Sequence, residues 1–376
     1  MIHVIDFEVF KYDWLCVIVN PETREENVII NDVEKLKKYY EKHKNEIWVT
    51  YNGKNYDQYI LKGLLLNMNP KEINDWIIVE NKAGWQYSSM FKDIQLFHYD
   101  VMVDRNYSLK QLEGFIGDNI KETSVPFDLD RKLTQRELDE TVKYCRHDVM
   151  ETLKIFMLKD EDFISHMNLI KAFNLNINCI NKTKAQMISL ILGANKKSYD
   201  DEFDIKFPHN LKIEKYIEVL DWYKNKENRK YNVIANDIKS AKNQLKINIA
   251  GVPHVFGWGG VHGAISKYKG EGLFVMIDVA SLYPSLMINY NYHSRSIKDP
   301  NRFVDIYNTN LKMKKEKNPL RPAYKLTCNT TYGCMKDKNN PLYDPQMANN
   351  VCVAGQLLLL DLIEKIEDVS ELIQLT

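Results

Sequence analysis

The chain has no excess charge of either sign: among its 376 residues, 51 Lys and Arg stand against 51 Asp and Glu. Net charge therefore announces no polyanionic partner, and a nucleic-acid surface has to come from local clustering. No C-x-x-C pair occurs among the six cysteines, Cys16, Cys145, Cys179, Cys328, Cys334 and Cys352. That argues against a zinc knuckle and for a reduced, cytoplasmic setting. No signal peptide is expected, because Asp6 and Glu8 interrupt the first apolar run. No membrane is expected as a partner either. Leu357 to Leu360 is too short for a span and is followed by charge. There is no internal repeat. The length allows two or three domains.

What is present is a set of acidic residues in apolar or helical frames. Val4, Ile5, Asp6, Phe7 and Glu8 read as a strand, in which residues i and i+2 share a face, so Asp6 and Glu8 point the same way. Two carboxylates that close raise each other's pKa unless a cation sits between them. Residues 14–19 read as the antiparallel neighbour, 33–44 as a charged helix and 47–51 as a further strand. That strand empties into Asn52, Gly53, Lys54, Asn55, Tyr56 and Asp57. Asp57 opens an apolar helix, where a carboxylate is also an ordinary cap. Periodicity predicts a helix over 138–158, which sets Tyr144 and Asp148, at i and i+4, on one face. Taken singly, each piece also reads as a solvated pair, a cap or a surface pair.

Further along, residues 183–192 read as a buried helix and the lysine- and asparagine-rich stretch 211–247 as helical and exposed. Residues 256–263 hold four glycines, which suits a hairpin turn or a close backbone approach. Phe274, Val275, Met276 and Ile277 then predict a buried strand that delivers Asp278 to its end, with Pro284 in the first turn of a helix. A basic run over 311–325 leads into Lys325, Asn329 and Tyr332, whose spacing of four and three makes one helical face.

Three of these patterns, in order, resemble the motifs of the tyrosine subclass of DEDD 3′–5′ exonucleases. They are D-x-E at Asp6 and Glu8, N-x-x-x-x-D at Asn52 and Asp57, and Y-x-x-x-D at Tyr144 and Asp148. Asp-x-x-Ser-Leu-Tyr-Pro-Ser, starting at Asp278, resembles the first polymerase motif of the family B DNA polymerases of phage and plasmid type. Lys325 to Gly333 resembles their second, with Thr330 where serine is usual. The resemblance implies an α/β and α+β chain: an RNase H-like exonuclease domain at 1–160, a connecting helical region at 161–265 ending in a glycine-rich DNA contact, and a partial polymerase palm with helical fingers at 266–376.

For the exonuclease it implies that Asp6, Glu8, Asp57 and Asp148 hold two ions, Mg²⁺ or Mn²⁺, that Tyr144 positions the attacking water, and that Asn52 orients the substrate strand. His147 is not expected to act as a base, and Lys110 or Lys143 is left to touch the scissile phosphate. For the polymerase part it implies that Asp278, with the carbonyl of Val279, binds catalytic metal. Tyr283 would lie under the incoming sugar, Lys325 on the triphosphate, Asn329 at the nucleotide and Tyr332 at the minor groove of the nascent pair. Arg321 and one of Lys312, Lys314 or Lys315 would add phosphate contacts, and Gly259 and Gly260 would meet the template.

The expected partners are single-stranded DNA 3′ ends, primer-template and dNTP, in a host cytoplasm for a viral protein. The family's third polymerase motif, Asp-Thr-Asp on a hairpin, is not seen. Glu371 to Thr376 reads as the strand that would enter it, while Asp361, Glu364, Glu367, Asp368 and Glu371 read as the polar side of a helix. The expectation is exonuclease activity without DNA synthesis unless a second polypeptide supplies the rest. Two other readings stand beside it: a stand-alone exonuclease with a DNA-binding palm remnant, and a non-catalytic accessory subunit.

Overall fold

The computed structural model describes residues 1–102, 107–235 and 238–376, with backbone only over 232–241. The protein is mixed α/β and divides into two compact units, Met1–Thr183 and Lys184–Thr376. The first unit is built on a five-stranded mixed sheet in the order β3-β2-β1-β4-β5. Its strands are β1 (Ile2–Val9), β2 (Trp14–Asn20), β3 (Glu25–Ile30), β4 (Ile47–Thr50) and β5 (Phe97–Asp100). β1 lies in the centre, antiparallel to β2 and parallel to β4, so both of its edges are hydrogen-bonded.

The alternation along β1 sorts its side chains. Ile5, Phe7 and Val9 enter a core with Leu36 and Tyr40 of α1 (Val33–His43), Ile60, Leu61 and Leu64 of α2 (Asp57–Leu65), and Ile73 of α3 (Pro70–Asn74). Asp6 and Glu8 fall on the opposite face. That face is covered by α5 (Gln135–Leu158), which follows the short α4 (Leu109–Phe115) and precedes α6 (Asp160–Ala172). α5 starts a turn before the sequence expectation, because Thr134 and Glu137 form a reciprocal capping box. Its buried stripe, Thr141, Cys145, Asp148, Val149 and Thr152, follows the helical period and points at the sheet.

In the second unit a four-stranded antiparallel sheet runs β11-β10-β9-β8. Its members are β8 (Gln244–Ile249), β9 (Val252–Gly257), β10 (His262–Ala264) and β11 (Gln374–Leu375). The pair β6 (Asn232–Ala235) and β7 (Ile238–Lys242) stands as a separate hairpin. The helices are α7 (Lys184–Ile191), α8 (Ile217–Lys224), α9 (Leu282–Asn289), α10 (Asn301–Glu316), α11 (Arg321–Lys336) and α12 (Pro345–Ile366). Val353, Leu357, Leu360 and Ile363 of α12 pack with Val219 and Tyr223 of α8 and with Ile249, Phe256 and Trp258.

Four expectations need correction here. Residues 211–247 are not one helical stretch: only α8 is helical as an α-helix, and strands β6 to β8 follow. Residues 236–237 of that stretch lie outside the described residues. The missed signal is the alternation in β8, where Leu245, Ile247 and Ile249 face one way. Second, α12, at 22 residues, is long and apolar enough to cross a membrane; 83% of its apolar window is buried in the protein, which marks a core helix.

Third, the acids expected on its polar side divide: Asp368 and Glu371 are exposed beyond its end, while the other three are engaged by neighbours. Asp361 is buried beside Lys365 at 2.9 Å, Glu364 accepts the backbone N–H of Glu214 and Tyr216, and Glu367 takes Lys215 and the Tyr216 hydroxyl. Fourth, the run ahead of Asp278 is not a buried strand. Residues 271–279 carry no helix or strand, and Leu273 and Met276 are 92% and 93% exposed. Among the described residues no strand pairs with this run, and unpaired backbone there keeps its hydrogen bonds to water.

Candidate active site

The acidic face of β1 is where the first unit concentrates chemistry. Glu8, Asp57 and Asp148 are each less than a tenth exposed. Asp57 opens α2, and its Oδ1 accepts the N–H of Phe7 at 3.3 Å, which ties the helix start to β1 between Asp6 and Glu8. Asp148 arrives from α5 one turn after Tyr144. Burial, then the charges of Asp57, Glu8 and Asp148, hold the Asp6 carboxyl well above the usual carboxylate range. Burial, then Asp148 and Asp57, does the same to Glu8. Asp57 is pushed up to about 7 by burial and by Asp100, with the backbone N–H groups of Asp57 and Phe7 pulling against them. Asp148 is raised by burial and restrained by Lys110. Four carboxylates thus feel one another's charge in a water-poor site.

Among the described residues one cation answers them. The Lys110 ammonium donates to Asp148 at 2.5 Å and to Glu113 at 3.1 Å, and it stands 4.9 Å from the Tyr144 ring centre. The sequence left Lys110 and Lys143 open; Lys143 is exposed on α5. Tyr144 is hydrogen-bonded to Asp148, and burial and that carboxylate raise its phenol, which keeps its proton at neutral pH. His147 faces the wholly buried Glu113 at 3.4 Å.

Three contributors had no sequence signal strong enough to find them. The Cys145 thiol lies 3.5 Å from Asp6 Oδ2, and the ligand atoms of Asp6, Glu8 and Cys145 sit within 4.8 Å of one another. Asp100 ends β5 and accepts the N–H of Asn52 and of Lys54, both at 2.9 Å, so it fixes the turn that carries Asn52 in a left-handed conformation, φ 60°. Gly53 completes that turn, because a Cβ there would fall 2.0 Å from Thr50 Oγ1. Glu113 is the third, reached only through the capping box that starts α4 at Ser108.

The second unit brings some expected residues together and leaves others apart. Tyr283 on α9 and Tyr332 on α11 meet with ring centres 4.4 Å apart, and Lys336 stands 5.0 Å from the Tyr332 ring. Burial raises both phenols. Lys325 and Asn329 are exposed on α11, and Arg321 stands at its start. Lys312 pairs with Glu316 at 3.9 Å on α10, which also carries Lys314 and Lys315.

Gly259 and Gly260 lie between β9 and β10, a hairpin whose Gly263 leaves room for the His254 ring, 2.3 Å from where a Cβ would be. Asp278 and Val279 are exposed, and Asp278 belongs to no cluster of three metal-ligating side chains among the described residues. The metal role expected of Asp278 thus has no assembled neighbours, for want of the strand that was to position it.

No protein-family model matches the chain, and no curated protein matches it.

Proposed function

We propose that the first unit is a metal-dependent 3′–5′ exonuclease acting on single-stranded DNA ends, and that the second is a palm-and-fingers part of a family B DNA polymerase that meets primer-template and dNTP. The observation that carries the nuclease reading is the convergence of Asp6, Glu8, Asp57 and Asp148, with raised carboxyl pKa values, and with the Lys110 ammonium on Asp148. The mixed sheet with two acids on its central strand supports the finer RNase H-like assignment.

The donor set fits Mg²⁺ or Mn²⁺: hard oxygen ligands in a site whose repulsion the described residues leave largely unanswered. Asp6, Glu8, Asp57 and Asp148 would hold two ions, which when bound activate a water and neutralise the leaving oxygen of a phosphodiester. The remaining groups act by position. Tyr144, protonated and hydrogen-bonded to Asp148, orients the water rather than taking its proton. Lys110 holds Asp148 in place and opposes the rise that burial gives its carboxyl. Asn52, braced by Asp100, faces the substrate strand.

Replacing Asp6 and Glu8 together with alanine in the full chain tests the reading. With Mg²⁺ and a 3′-labelled single strand, hydrolysis falls about a thousandfold or more while DNA binding is kept. A wild-type chain without nuclease activity overturns it and leaves the accessory-subunit reading. The exposure of Asp278 favours one variant of the proposal, a nuclease whose second unit only binds DNA.

A further inference from the structure

A second cluster lies at the other end of β1, away from the acids. His3 is wholly buried on β1, and His43, in the last turn of α1, is 5% exposed. Between them stands Glu46, in the turn that leads into β4. His3 Nε2 bonds Glu46 Oε2, and His43 Nδ1 reaches the same oxygen at 3.0 Å. One ligand atom from each of the three lies within 4.8 Å of the others. We propose that His3, His43 and Glu46 form a zinc-class metal site, separate from the carboxylate pocket, that clamps α1 to the start of β1 and β4.

Two features support a metal over a plain hydrogen-bonded cluster. The donors are two neutral-capable imidazoles and one carboxylate, a set that suits Zn²⁺ and its neighbours and suits Mg²⁺ poorly. His3 already has the outer partner that a metal-bound histidine needs: its Nδ1 meets the Tyr39 hydroxyl at 2.8 Å, which would accept the ring proton once Nε2 turns to the metal. His43 Nε2, across the ring from the Nδ1 that meets Glu46, is buried without a hydrogen-bond partner. Zinc–nitrogen bonds are about 2.0–2.1 Å, which sets tetrahedral donors roughly 3.3 Å apart, so an ion entering between the imidazoles and Glu46 spreads these hydrogen-bonded donors slightly. Glu46 keeps partial exposure, 21% of its side chain, which leaves a water as the fourth ligand.

The test uses the full metal-free chain, titrated with Zn²⁺ in excess Mg²⁺ and then dialysed, with bound zinc and thermal midpoint both read. Wild type retains one zinc per chain and its midpoint rises. His43→Ala retains none and shows no rise. Glu46→Gln, which keeps the side-chain shape, serves where His43→Ala does not fold, and it also retains none. Tyr39→Phe binds about 10–100-fold more weakly. The Asp6→Ala, Glu8→Ala double variant retains zinc as wild type does. Zinc lost in that double variant, zinc kept in both His43→Ala and Glu46→Gln, or no zinc on wild type each overturns the proposal.

Discussion

Two short apolar runs lead into aspartate in this chain, and they end differently. Val4 and Ile5 precede Asp6 on a strand with hydrogen-bonded neighbours on both edges, and both are buried. Phe274, Val275, Met276 and Ile277 precede Asp278, and each is more than half exposed. By residue type the second run is no poorer a strand former. What separates them is company. A strand is stabilised by cross-strand pairs and a covered face, and a run without them gains little by being apolar. The aspartates inherit the difference: Asp6 sits among carboxylates, and Asp278 stands in water. The sharpest way to break the comparison is catalytic. Asp278→Ala leaves hydrolysis of single-stranded DNA unchanged, while the Asp6→Ala, Glu8→Ala pair removes about three orders of magnitude. A comparable loss in Asp278→Ala would place that residue in the nuclease and erase the contrast.

The next effect is pH-dependent stability, and it comes from the pocket that Asp6 shares with Asp57. The Asp57 carboxyl has a folded pKa of about 7, above the unfolded value near 3.9. Between those values the folded chain holds more protons than the unfolded one, so this contribution is whole below about pH 4 and is lost as pH rises toward 7. A shift of that size corresponds to at most about 4 kcal/mol, less where the neighbouring acids share the proton. In urea denaturation of the metal-free chain, wild type loses stability over that window. Asp57→Asn flattens the slope, and Mg²⁺ flattens it too by taking the place of the protons. A wild-type profile that rises from pH 4 to 7 without metal would sink the picture of a crowded, uncompensated pocket.

Smaller again is the brace behind Asn52. Asp100→Ala frees three part-buried N–H groups, those of Asn52, Lys54 and Met102, and each unpaired donor costs up to about 1–3 kcal/mol before water reaches it. The expected result is a modest drop in stability with a larger rise in KM for DNA than fall in kcat, because the proposed role of Asn52 is to hold the substrate strand while the four acids stay in place. An effect on kcat alone would make Asp100 part of the chemistry.

How much of this could be read from the residues themselves follows the same division. The alternation of β1, the apolar helix after Asp57 and the four-residue step from Tyr144 to Asp148 are local patterns, and local patterns survive without knowledge of the fold. Asp100, Cys145 and Glu113 enter the pocket only because β5, α5 and α4 converge there, and nothing in their neighbours' identity says so. Lys110 and Lys143 looked alike in spacing; packing put the first on Asp148 and the second in solvent. In the second unit Lys325, Asn329 and Tyr332 do share α11, as their period indicated. The run before Asp278 misled because its pattern describes what a strand would bury, and burial needs a partner that period cannot supply.

That last point has a direct measurement, in which a substitution in the second run carries the smallest expected effect here. Phe7, 3% exposed, fills the core under β1, so Phe7→Ala costs about 3–5 kcal/mol. Met276, 93% exposed, touches little, so Met276→Ser changes stability by less than about 0.5 kcal/mol. The pair asks whether the second run is solvated in the free chain. Should Met276→Ser cost as much as a core truncation, the run is packed in solution, and Asp278 regains the buried strand end that its sequence suggested. With no such cost, a contiguous apolar stretch stands in water beside a carboxylate, and the asymmetry between the two aspartates is a property of the folded chain.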